Sequence, residues 1–77
     1  KTSLELSAKD RNGLAMDVTM ALSAVKVKVD SFSARGMPDG YAVVTVCLQV
    51  KDKDELTGVI NKLGQIPGVY QVKRITG

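Results

Sequence analysis

The hydrophobic period of this chain changes at one glycine. Leu4, Leu6 and Ala8 alternate with Glu5, Ser7 and Lys9, and directly after Gly13 the apolar residues Leu14, Val18, Ala21, Leu22 and Val25 recur at helical spacing. A period of two marks a strand with one wet face, and a period of about 3.6 marks an amphipathic helix. With only a short corner between them, the helix has to fold back over the sheet that its own strand joins. The corner is "KDRNG", which carries charged or amide side chains at Asp10, Arg11 and Asn12. A bend alone would not require them.

The rest of the chain repeats the alternation. Val27 to Arg35 mixes β-branched and polar residues, the turn-rich "GMPDG" follows, and in "YAVVTVCLQV" Val44, Val46, Leu48 and Val50 alternate with Thr45, Cys47 and Gln49. Those two stretches read as a hairpin. Asp52 with Glu55 three positions later has capping-box spacing, and Leu56, Val59, Ile60 and Leu63 form a second helical stripe, expected to run to about Gln65. Pro67 and Gly68 end it, since proline disfavours helical geometry at Ile66, and "VYQVKRI" has the composition of a last strand. The order strand, helix, strand, strand, helix, strand predicts an α+β, ferredoxin-like βαββαβ plan: a four-stranded antiparallel sheet with two helices on one face. Glu5, Ser7, Thr45, Cys47 and Gln49 should then occupy the opposite face. Met16, Met20 and Ala24 form a second stripe on the first helix, adaptable surface for a partner or the margin of a broader core.

Bulk properties narrow the function. At 77 residues the chain is one small domain that buries about 60% of its unfolded surface, so a partner surface would help stabilise it, and a homodimer is a reasonable expectation. No apolar run is long enough to cross a membrane as a helix. The sequence begins at Lys1 without an initiator methionine or a signal peptide and reads as a piece of a larger, cytoplasmic protein. With no histidine and the single thiol of Cys47, no metal or cluster ligand set is expected, and no cofactor is implied. A nucleophile with an identifiable base is missing too, so no catalytic residue is proposed. The net charge of +3 is mild and dispersed, and with only Phe32, Tyr41 and Tyr70 as aromatics it lacks the usual pattern of a nucleic-acid module.

The corner "KDRNGL", the helix "LAMDVTMAL", the strand "VKVDSFSAR" and the ending "LGQIPGVYQVKRI" together resemble the ACT domain, and most nearly the C-terminal ACT domain of RelA/SpoT-type (p)ppGpp synthetase/hydrolase enzymes. Asn12 stands where proline is common in the family, and Lys28 where many members carry asparagine. The resemblance implies a single regulatory domain, residues 1–77, in a parent that makes or degrades (p)ppGpp, with that parent's catalytic domains as partners. It also implies an amino-acid site at Asp10, Arg11, Asn12, Gly13, Leu14 and Ala15. ACT ligand sites often straddle a dimer contact, which brings in Lys28, Val29 and Asp30.

The corner residues fit that use chemically. Free N–H groups at a helix start receive a carboxylate, Asp10 can receive an ammonium, and Leu14 or Ala15 can meet an apolar side chain. Two local roles compete with it. Asp10 or Asn12, with Asn12 nearer, could cap the helix, and Arg11 could stand in solvent. Lys28 and Asp30 could equally be ordinary edge charges that discourage strand pairing. The rival to sensing is a docking or dimerisation module without a small ligand, using the open sheet face or the methionines of the first helix to hold a protein partner, a second copy, or the ribosome and its RNA; Lys73 and Arg74 could touch RNA or an acidic domain, or serve only solubility.

Overall fold

The computed structural model describes residues 2–76. Its elements are β1 (Thr2–Lys9), α1 (Leu14–Val25), β2 (Lys28–Gly36), β3 (Tyr41–Gln49), α2 (Lys53–Gly64) and β4 (Val69–Thr76). The strands form one sheet in the order β2-β3-β1-β4, and every pairing in it is antiparallel. This is the ferredoxin-like plan expected from the alternation.

Alternate residues of the two central strands face the helices. Leu4, Leu6, Val44, Val46 and Leu48 are fully buried there, and Val18 of α1 with Val59 and Leu63 of α2 close over them. Ser3, Glu5, Ser7, Thr45 and Cys47, from the opposite face, are half-buried, and Gln49 is exposed. The stripe of Met16 and Met20 lies outside the core, with both side chains more than 60% exposed.

The edge strand β2 is different. All nine of its residues are exposed, so it overhangs the helical layer, and Val29 and Phe32 show apolar surface. An apolar hollow of about 280 Å³ lies beneath the overhang, lined by Leu22 of α1 together with Val27, Val29 and Phe32.

Antiparallel register fixes what stands near the corner. Lys9, the last residue of β1, pairs with Tyr41, the first of β3, and Gly36, the last of β2, pairs with Ala42. The corner, the β2–β3 turn and the α2–β4 turn therefore meet at one end of the sheet.

Candidate functional site

The corner is braced through its backbone before any side chain is considered. The Lys9 N–H donates to the Gly68 carbonyl at 2.8 Å, and the Asp10 N–H donates to the Gly40 carbonyl at 3.0 Å. Gly13 then takes φ +84°, a left-handed conformation that residues with a Cβ rarely adopt, and α1 begins. The Asp17 N–H donates to the Gly13 carbonyl at 2.9 Å as the helix opens.

No side chain caps this helix. The expectation that Asp10 or Asn12 does so is corrected: Gly13 itself holds the N-cap position, in a conformation far from the extended geometry in which Asn or Asp side chains reach the first-turn amides. The Ala15 and Met16 N–H groups consequently have no acceptor among the described residues. The positive end of the helix faces an open cleft of about 450 Å³.

Arg11 also differs from the solvated side chain expected as its local role. Its guanidinium donates from Nε to the Pro67 carbonyl at 3.0 Å, from one terminal nitrogen to the Asn12 carbonyl at 3.1 Å, and from the other to Asp17 Oδ2 at 2.6 Å. One planar cation thus ties the corner to the first turns of α1 and to the loop before β4. These contacts use three of the five N–H donors of an arginine.

Asp10 reaches the other way. Its carboxylate lies against β2, and among the described residues it accepts no hydrogen bond. Asp10, Arg11, Asn12, Gly13, Leu14 and Ala15 all line the cleft, so the structure brings this half of the expected set together. Met16, Ala34, Arg35, Gly36 and Ala42 complete the lining. Met16 simply follows Ala15, but position along the chain gives no hint of the other four. The signal was the fold plan itself, because placing β1 beside β3 brings the end of β2 to the corner.

Lys28, Val29 and Asp30 are not part of the cleft within one chain. They begin β2, opposite Gln49 and Leu48, whereas the cleft lies at the strand's far end beside Ala42. The Asp30 carboxylate accepts two hydrogen bonds from Gln49 Nε2, at 3.1 and 3.2 Å.

The arrangement offers helix amides and the Arg11 cation for a negative group, a free carboxylate for a positive one, and the apolar surfaces of Leu14, Ala34 and Ala42 between them. It suits a small zwitterion. Among the described residues no group of histidine, cysteine or acidic side chains could hold a metal ion.

Comparison with known proteins agrees with this architecture. Residues 1–74 match the ACT domain family model. The chain belongs to the ACT domain family. It is 32% identical, over 96% of its length, to the bifunctional (p)ppGpp synthase/hydrolase RelA of Mycobacterium tuberculosis, but covers only 10% of that enzyme. It is 30% identical over 97% of its length to an ACT domain-containing protein of Fusobacterium nucleatum, of which it spans 50%. The crystal structure of the ACT domain from GTP pyrophosphokinase of Chlorobium tepidum superposes with a TM-score of 0.85, covering 96% of this chain and 95% of that one at 24% identity, a likeness of fold. ACT domains are regulatory, and the large enzymes match only over this small region, so the chain is not itself catalytic. Among the described residues no helix is long and apolar enough to cross a membrane.

Proposed function

We propose that this domain senses a free amino acid at the β1–α1 corner and reports its presence to the catalytic domains of a cytoplasmic parent that makes or hydrolyses (p)ppGpp. One observation carries the proposal: the amides that open α1 have no side-chain cap and face a cleft with an unengaged carboxylate at its rim. The ligand's carboxylate takes the Ala15 and Met16 N–H groups, its ammonium takes Asp10, and a modest apolar side chain lies against Leu14, Ala34 and Ala42.

The overhang of β2 supports a homodimer. Paired antiparallel about Phe32, two copies of the strand engage along the regular stretch Ser31–Gly36, and the register shift between Val29 and Ser31 interrupts the pairing before its first residues. Val29 and Phe32 would then be covered. Such a contact brings the start of β2, Lys28 to Asp30, toward Ala34, Arg35 and Gly36 of the second copy, which are the cleft-lining residues of β2. The two halves of the expected site, apart in one chain, meet across this contact.

A docking role without a small ligand is the second reading, and the exposed Met16 and Met20 favour it. Titrating L-leucine and then L-valine into isotopically labelled protein separates the two readings, with the solution mass measured alongside. Sensing predicts amide shifts concentrated at residues 10–16, 28–30 and 34–36 of a dimer. A spectrum unchanged at millimolar concentrations abandons sensing and leaves docking.

A further inference from the structure

No left-handed φ requires glycine at position 36. Its φ is not among the positive values found at Gly13, Gly40 and Gly68, and it lies in an ordinary strand opposite Ala42. A Cβ built on it meets a single neighbour. That Cβ would stand 2.8 Å from Asp10 Oδ2 and 3.7 Å from Asp10 Cγ, with nothing else within 4 Å. The Asp10 carboxylate therefore occupies the space that a side chain at position 36 would fill.

We propose that Gly36 is the positioning residue for Asp10, and that the missing side chain at position 36 is what lets the corner accept a ligand's ammonium group. The inference rests on the reading of the corner as an amino-acid site. Asp10 is short, and a clash at its Oδ2 is relieved by rotating χ1 rather than by moving a strand. Any Cβ at 36 thus leaves the fold intact and swings the carboxylate off β2. The negative pole of the cleft moves while the positive pole, the helix amides and Arg11, stays in place. A site altered in this way still takes a carboxylate but no longer distinguishes an amino acid from the same acid without its amine.

The test compares wild type with Gly36→Ala, Asp10→Ala and the double variant, using L-leucine and its amine-free counterpart isocaproate as probes. Three-bond couplings of Asp10 report its χ1 without any ligand. Gly36→Ala should shift χ1 and weaken leucine by about tenfold or more, the loss expected for one charge-assisted hydrogen bond, while isocaproate binds both proteins alike. In the Asp10→Ala background, Gly36→Ala should add nothing. An unchanged χ1 in Gly36→Ala, or losses for leucine that add in the double variant, overturns the proposal. If wild type binds no leucine, the amino-acid reading falls, and the coupling measurement still decides whether Gly36 aims Asp10.

Discussion

The two helices of this domain begin in opposite ways. Asp52, with extended backbone, accepts the Glu55 N–H at 2.8 Å, and the Glu55 carboxylate accepts the Lys51 N–H at 2.9 Å, so the start of α2 is sealed by its own side chains. The start of α1 is made by a left-handed glycine, has no side-chain cap and opens on a cleft. A sealed start adds about 1 kcal/mol of stability and nothing else. An open start forgoes that and keeps donors for a guest. Arg11 replaces the missing cap as a brace without covering the amides, since a guanidinium donates hydrogen bonds and accepts none.

Mutation can break the contrast from either side, and the open start should be the more sensitive. Gly13→Ala forces a Cβ into left-handed geometry and should destabilise by about 1–2 kcal/mol. In a domain of this size each kcal/mol is a fall of roughly 4–8 °C in Tm, readable by thermal denaturation. A shift near zero would mean that the corner relaxes to another conformation. Asp52→Ala should cost about 1 kcal/mol by loss of the cap, with the leucine response at residues 10–16 unchanged because α2 begins away from the cleft. A changed response would show that the two starts are coupled. Arg11→Gln should have the smallest effect on stability, below about 1 kcal/mol and decreasing with added salt, because the Arg11–Asp17 pair is 28% and 42% exposed. Its hydrogen-exchange signature should be local, with faster exchange at Lys9 and Val69 around the loop that Arg11 holds.

How much could be read from residues alone depended on how local each feature was. The stripes of Leu14, Val18 and Leu22 and of Leu56, Val59 and Leu63, and the alternations in β1 and β3, are local, and the structure buries those residues. The cap at Asp52 could be read from spacing because its partner is three residues away, although Glu55 bonds one residue earlier than a reciprocal box would have it. The cap expected at the first helix failed because residue types do not reveal the sign of φ at Gly13. Arg11 was misjudged because its Pro67 partner is 56 residues distant.

Sequence alone determined the order of elements and the faces they bury, because hydrophobic period and turn chemistry act over a few residues, and its motifs carried the resemblance to the ACT domain. Only the tertiary structure decided that the Asp10 carboxylate fills the space beside Gly36 where a side chain would stand, that Arg11 braces the loop before β4, and that Lys28, Val29 and Asp30 stand at the far end of β2 from the cleft. Such contacts depend on strand order and register, which arise when the whole core packs at once and are written in no single stretch of the chain.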